Sequence, residues 1–232
     1  MNYGIILSGG TGTRLGAAIP KQYIEVGGRP IILYSTQTLL DDPHIDALVV
    51  CLDPMWKSFY EEAVATLHPS KPIYYSEPGE VRHLTLYNAL LTVERLGAKA
   101  DDVLLFHDAA RPLLSHELIG RCMEACREHD GAMPVIPVKD TTYMSKDGLH
   151  ISALLNRAEL FAGQAPEAFR FGPYMAIHKT KDIESLKRIT GTTQIAYEEG
   201  LDVLLVKGDE MNFKITTAED LSNFESIVGK KA

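Results

Sequence analysis

Short apolar runs rich in β-branched residues alternate along the chain with segments of helical period, and this alternation constrains the fold more than any other feature. The strand-like runs are Tyr3–Leu7, Ala47–Leu52, Ile73–Tyr75, Val103–His107, Met133–Val138 and Val203–Val206. They are short and apolar throughout, the pattern of strands covered on both faces. Helices are expected at Pro30–Leu40, Trp56–Leu67, Arg82–Leu96, Ser115–His129 and Thr217–Val228. In the fourth, Leu118, Ile119, Cys122, Met123 and Cys126 form one stripe behind Ser115 as N-cap. The last opens on Thr217-Ala-Glu-Asp220, a start resembling a capping box, and offers Leu221, Phe224, Ile227 and Val228 to a core. The expected class is α/β, a Rossmann-like, mostly parallel sheet with helices on both faces. Ligands of such sheets bind beyond the carboxyl ends of the strands.

No internal repeat, low-complexity tract or linker-like shift interrupts the chain, so residues 1–232 are read as one domain. One stretch breaks the rhythm. Between Thr141 and Leu155, two β-prone runs flank Lys146-Asp-Gly148, a hairpin signal. A hairpin projecting from an α/β domain must cover its apolar side chains, and a second subunit is one candidate cover.

Composition narrows the partners. The net charge is −8, which gives nonspecific nucleic-acid binding no electrostatic support. An acidic chain can still hold an anionic ligand if its cations are concentrated at one place. The start, Met-Asn-Tyr-Gly-Ile-Ile-Leu, lacks the basic region and long apolar stretch of a signal peptide, and no window suggests a membrane span. A cytoplasmic protein is expected. Cys51, Cys122 and Cys126 are too few for a disulfide framework and read as core thiols.

Directly after the first strand comes Ser8-Gly-Gly-Thr-Gly-Thr-Arg14-Leu-Gly16, followed by Pro20-Lys21-Gln22. Glycines here let backbone N–H groups approach an anion, although a glycine-rich loop can also be only a tight turn. The dinucleotide fingerprint needs a glycine where Leu15 stands, which argues against a dinucleotide-dependent oxidoreductase. The P-loop pattern lacks its Gly-Lys pair. Taken alone, Arg14 and Lys21 could be solvated surface charges. Beside the loop they supply what phosphoryl or nucleotidyl transfer needs, cations held around developing negative charge.

Five segments then occur in order: Gly9-Gly10-x-Gly12-Thr13-Arg14, Pro20-Lys21-Gln22, His107-Asp-Ala-Ala-Arg-Pro112, Gly163-Gln-Ala-Pro166 and Asn212-Phe-Lys214-x-Thr216. Together they resemble the cytidylyltransferases that act on methylerythritol 4-phosphate or ribitol 5-phosphate, over essentially the whole chain. The resemblance implies CTP and a small polyol phosphate as substrates, Mg²⁺ as cofactor, and a homodimer. It implies that Arg14, Lys21 and Lys214 are catalytic, gripping the triphosphate and stabilising the pentavalent α-phosphate. Ser8, Gly9, Gly10, Thr11 and Gly12 would hold the nucleotide, with Gly79, Glu80 and Thr85 around base and ribose and Asp108 and Ala109 beside its sugar-phosphate. Asp108 would also face the metal, since Mg²⁺ takes only one or two carboxylates beside phosphate oxygens and water. Arg111, Thr141, Arg157 and Thr190 are implied on the acceptor side, some of them supplied by the partner subunit through the hairpin.

A phosphate monoester already carries about −1.5 to −2 charge at neutral pH, so a base is not required and His107 reads as structural. Two departures fall on the acceptor side. The family's Gln-Thr-Pro-Gln is here Gln164-Ala165-Pro166-Glu167, and a Thr-Asp pair expected near Thr190 is replaced by Thr190-Gly191-Thr192-Thr193. They leave a regulator that binds nucleotide without turning it over as a rival, against which the retained Arg14, Lys21 and Lys214 count. The glycine loop, Asp53-Pro-Met-Trp56 and Ser145-Lys-Asp-Gly148 through Ile151-Ser152 look closer to the ribitol 5-phosphate branch.

Overall fold

The structure is a computed structural model that describes residues 1–10 and 19–230. In chain order the elements are β1 (Asn2–Leu7), β2 (Glu25–Val26), β3 (Arg29–Pro30), α1 (Ile31–Asp41), β4 (Ala47–Cys51), α2 (Lys57–Ala65), β5 (Ile73–Ser76), α3 (Arg82–Arg95), β6 (Val103–Asp108), α4 (His116–Ala125) and β7 (Gly131–Pro137). There follow β8 (Tyr143–Met144), β9 (Ala153–Leu154), β10 (Phe161–Gly163), β11 (Glu167–Arg170), α5 (Phe171–Lys179), α6 (Ile183–Lys187), α7 (Thr192–Glu198), β12 (Val203–Lys207) and α8 (Ala218–Gly229).

Among the described residues the central sheet runs β5-β4-β1-β6-β11-β7, with β10 and β12 also paired to β7. Strands β5, β4, β1 and β6 are parallel neighbours, as are β7 and β12, whereas β10 and β11 run antiparallel. The fully buried β4 and β6, with β1 buried from Tyr3 onward, feed both faces. Ile6, Leu48 and Val50 pack toward α1, α2 and α4, while Tyr3, Ile5, Val49 and Phe106 pack toward α3, α5, α6 and α7. Each buried Ile or Leu contributes about 1.5–3 kcal/mol relative to an exposed one, so these runs specify a central position. A third, smaller cluster seats Phe224 of α8 against Val26, Ile31 and Ile215.

Local signals behave as expected at several ends. Ser115 accepts from the Leu118 N–H at 3.4 Å, and the α4 stripe from Leu118 to Cys126 is buried. Thr217 and Asp220 form a reciprocal capping box, although only Phe224 of the expected α8 face is fully buried. All three cysteines are buried free thiols, and burial pushes Cys51 and Cys126 up to about 12.

Three expectations need correction. The helix expected to His129 ends at Ala125, where Arg127 and Glu128 turn to shorter i→i+3 bonds. Strand β12 is not covered on both faces. It pairs only with β7, and Leu205 stays half exposed. Residues 156–200, which carry no expected element, hold β10, β11 and three α-helices. Gly172-Pro173 looks like a turn but sits in the first turn of α5, where proline lacks no needed donor.

The hairpin is present. Tyr143 pairs with Leu154 and Met144 with Ala153, and Gly148 takes φ +76° in the connection. Its apolar side chains are uncovered, with Leu149 85%, Ile151 70% and Leu154 65% exposed. Among the described residues no helix is long and apolar enough to cross a membrane.

Candidate active site

The order β4-β1-β6 means the chain leaves β1 to one side and later returns on the other, which opens a crevice beyond the carboxyl ends of β1 and β6. Register places Leu7 opposite Asp108, and Ala109 N–H donates to the Leu7 carbonyl at 3.2 Å. A cavity of about 420 Å³ opens there, lined among others by Ser8, Gly9, Gly10, Lys21, Gly79, Glu80, Thr85, Asp108, Ala109 and Lys214. All ten are residues expected at the site from sequence.

Backbone proximity shapes the nucleotide end. A Cβ on Gly9 would lie 2.6 Å from Pro78 Cβ, so the first loop meets the turn after β5 through a position that tolerates no side chain, and one on Gly79 would lie 2.4 Å from Leu84 Cβ, so that turn closes tightly on the start of α3. Thr85 Oγ1 accepts from Gly79 N–H at 3.0 Å and fixes that turn at the start of α3. Gln22, buried, donates from Nε2 to the carbonyls of Ser8 (2.8 Å) and Gly10 (2.9 Å), clamping the entry to the glycine loop. Next to it, Lys21 Nζ donates to the Ile215 carbonyl at 2.5 Å. Thr11, Gly12 and Arg14 lie outside the described residues.

At the centre stands Asp108. Arg82 Nη2 is 3.2 Å from Oδ1, Lys214 Nζ 2.9 Å from Oδ2 and Arg111 Nε 3.6 Å from Oδ2. Burial by itself would raise this carboxyl, but Arg82 and Lys214 outweigh it and hold the group far below the usual carboxylate range. Segment 212–216 delivers Lys214 by being pinned on two sides. Ile215 N–H donates to the Ala110 carbonyl at 2.9 Å, and Asn212 Nδ2 donates to the Ala165 carbonyl at 2.6 Å. Arg111 Nη1 closes the arrangement on the Asn212 carbonyl at 2.7 Å.

His107 is wholly buried, and burial lowers its pKa to about 4, so the ring is neutral. With Nε2 2.9 Å from the Arg111 carbonyl, Nε2 carries the proton and donates, which holds the turn after β6. This is the structural role the sequence suggests.

The acceptor-side expectations separate. Arg111 joins the cluster. Thr141 is exposed at the base of the hairpin, Arg157 is exposed with Nη1 on the Lys139 carbonyl at 2.6 Å, and Thr190 is exposed, bonded to Gln194 Oε1. None of these three lines the cavity of this chain.

Sequence assigns no site role to Arg82 or Glu167. Arg82 opens α3 at the positive end of the helix dipole, where acidic residues are favoured and α3 has none in its first turn. An arginine there needs an anion nearby, and that is the signal that could have found it. Glu167 is buried on β11, and burial raises it to about 7, partly offset by Arg82. Sequence marks it as a departure but gives no hint of its burial.

Carboxyl-end loops over a mostly parallel sheet, close-packed glycines at the cavity and cations gathered around Asp108 define a Rossmann-like nucleotidyltransferase. Its relatives agree. The sequence profile described as 2-C-methyl-D-erythritol 4-phosphate cytidylyltransferase (IspD) matches residues 3–230, and the chain belongs to this family of cytidylyltransferases. It is 34% identical over 232 residues to the 2-C-methyl-D-erythritol 4-phosphate cytidylyltransferase of Geobacter metallireducens, covering 99% of this chain and 98% of that one. It is 32% identical over 234 residues to the ribitol-5-phosphate cytidylyltransferase of Streptococcus pneumoniae serotype 2, covering 99% and 100%. Among solved structures, 2-C-methyl-D-erythritol 4-phosphate cytidylyltransferase from Thermus thermophilus superposes with TM-score 0.75 at 25% identity, covering 99% of this chain and 100% of that one. The 4-diphosphocytidyl-2C-methyl-D-erythritol synthase from Anaerococcus prevotii gives TM-score 0.82 at 22% identity, covering 99% and 96%, a likeness of fold.

Proposed function

We propose that the enzyme transfers CMP from CTP to D-ribitol 5-phosphate, giving CDP-ribitol and pyrophosphate. The observation that carries the transfer reading is the convergence of Lys21, Lys214 and Arg82 on one cavity of an otherwise acidic chain, with Arg111 held 3.6 Å from the Asp108 carboxylate that lines it. An acceptor phosphate oxygen attacks the α-phosphorus of CTP. The bond from that phosphorus to the oxygen bridging to the β-phosphate breaks, and its electron pair leaves with pyrophosphate. No proton has to be removed from the nucleophile. In this reading Arg14, Lys21 and Lys214 gather the charge that accumulates on the α-phosphate, the Ser8–Gly12 loop with Gly79, Glu80, Thr85 and Ala109 seats the nucleotide, and Arg111, Thr141, Arg157 and Thr190 serve the acceptor.

Mg²⁺ belongs to the same reading. Among the described residues no three His, Cys, Asp or Glu side chains converge to form a protein cage. Asp108 offers one ionised carboxylate at the cavity, with about four acceptor sites to share between its cationic neighbours and an ion. That fits a metal held chiefly by phosphate oxygens. When bound it neutralises charge on those oxygens.

The chain is read as a homodimeric cytoplasmic enzyme. The exposed hairpin with Leu149, Ile151 and Leu154, and the position of Thr141 and Arg157 outside this chain's cavity, support an acceptor side completed by a second copy.

The ribitol acceptor rests on Asp53-Pro-Met-Trp56 and Ser145-Lys-Asp-Gly148 and on the full-length likeness to pneumococcal ribitol-5-phosphate enzymes. A second acceptor, 2-C-methyl-D-erythritol 4-phosphate, is favoured by the family description and by the Geobacter relative. The deciding experiment supplies CTP and Mg²⁺ with ribitol 5-phosphate, methylerythritol 4-phosphate or glycerol 3-phosphate, and follows pyrophosphate release. A kcat/KM for ribitol 5-phosphate below that for methylerythritol 4-phosphate rejects the ribitol assignment.

A further inference from the structure

Arg82 does more than face Asp108. Its guanidinium has two edges in use: Nη2 reaches Asp108 Oδ1 at 3.2 Å and Nη1 donates to Thr192 Oγ1 at 2.8 Å. The two partners belong to opposite sides of the site. Asp108 ends β6 on the cavity floor. Thr192 opens α7, two residues beyond Thr190.

Thr192 is an unusual partner for an arginine because it is completely buried. Its backbone is also fixed, since the Tyr174 hydroxyl, itself buried, donates to the Thr192 carbonyl at 2.9 Å. Asp108 and, next to it in influence, Glu167 provide the negative charge that keeps the half-buried Arg82 in place. A second link joins the same two stretches, where Lys187 of α6 pairs with Glu80 at 2.8 Å. Glu80 lies two residues before Arg82 and lines the same cavity. Thus the turn at residues 79–82 is joined by two polar links to the segment carrying α6 and α7.

We propose that Arg82 is a positioning residue that ties the acceptor-side segment at residues 190–194, where α7 begins, to the nucleotide-side turn, with the Thr192 hydroxyl as the other half of the tie. A nucleotide that orders the turn and draws on Asp108 then also orders the loop bearing Thr190, so that the acceptor site is completed by CTP binding. A planar fork can hold two acceptors in one fixed orientation, which an ammonium cannot do. The inference rests on reading Thr190 as part of the acceptor site, but its main test does not depend on which acceptor is used.

Hydrogen exchange of the amides at residues 190–199 is compared with and without CTP in the wild type, Thr192→Val and Thr192→Ser. Valine keeps the volume and removes the hydroxyl, whereas serine retains it. In the wild type and Thr192→Ser, CTP slows exchange in this segment by about tenfold, a coupling near 1.4 kcal/mol. In Thr192→Val the slowing falls below about twofold, while the CTP dissociation constant from calorimetry stays within about twofold of wild type. Full retention of the slowing in Thr192→Val overturns the tie. Equal loss in the valine and serine variants also overturns it, because packing rather than the hydroxyl would then be at work. A steady-state arm distinguishes the two readings. Thr192→Val raises KM for the acceptor severalfold and leaves KM for CTP unchanged. A wild type that accepts no polyol phosphate defeats the functional reading, while the exchange result still decides the tie.

Discussion

Asp108 and Glu167 are two buried carboxyls near one another whose surroundings drive them apart. Three cations contact Asp108 and keep it ionised, whereas burial pushes Glu167 up to about 7. Groups acting on Glu167 come from several elements: Arg82 of α3, Thr192 of α7, Asp108 of β6, and Arg111. Glu167 in turn raises Tyr174 of α5 and Cys122 of α4, in each case adding to the larger effect of burial. Because the folded pKa of Glu167 is raised, the folded state binds the proton more tightly than the unfolded chain. Its contribution to stability is therefore full below about 4.5 and is lost as pH rises through about 7. Glu167→Gln should raise the melting temperature by a few degrees at pH 8 and change it little at pH 5, read by thermal unfolding at both pH values. Lys21 supports a catalytic prediction. Lys21→Ala should lower kcat by about 10²–10³-fold while CTP still binds measurably in calorimetry, the behaviour of a cation needed most as charge develops. A lost CTP affinity with unchanged kcat would reverse its assigned role.

At the level of elements, the hairpin of β8 and β9 and the glycine floor place opposite demands on side chains. Gly9 and Gly79 leave no room for them, whereas the hairpin displays Leu149, Ile151 and Leu154 to solvent. A two-stranded hairpin with one uncovered apolar surface is marginal by itself. If the hairpin joins two copies as proposed, replacing Ile151 and Leu154 together by Glu should leave a monomer in sedimentation velocity where the wild type sediments as a dimer. The same variant should raise KM for the acceptor more than KM for CTP, because on the proposed reading Thr141 and Arg157 are withdrawn with the second copy. A monomeric wild type, or a dimeric double variant, would refute this use of the hairpin. The helix α3 carries the complementary lesson. Its cationic first turn runs against the dipole preference and is sustained by carboxylates from β6 and β11, so a local sequence rule fails where the site needs it to.

At the scale of the molecule, the cavity gathers the ends of β1, β5 and β6 and the segment at residues 212–216, which are far apart in sequence. A nucleotide bound there contacts several separately folded stretches and should stabilise the whole chain by mass action. CTP at 100 times its dissociation constant adds about 2.7 kcal/mol, which for a chain of this size is a rise of roughly 5–10 °C. UTP at the same concentration should give a distinctly smaller rise in a thermal-shift experiment. An equal rise would argue against cytosine specificity.

The sequence by itself determined the parallel sheet and the cation-bearing loops. Buried central strands such as Ala47–Cys51 read as unbroken apolar runs, and the glycines and Lys21 that line the cavity stand close together in sequence just after β1. Local pattern was silent where an element owes its existence to distant neighbours. Strand β11 is inserted antiparallel between β6 and β7, and the short helices α6 and α7 bury few residues of their own, so neither has a period long enough to read. Only the tertiary structure decided that Arg82 meets Asp108 and Thr192, and that Glu167 is buried beside them. Those encounters join residues up to 110 positions apart, and electrostatic partnership depends on distance in space, which no spacing along the chain encodes.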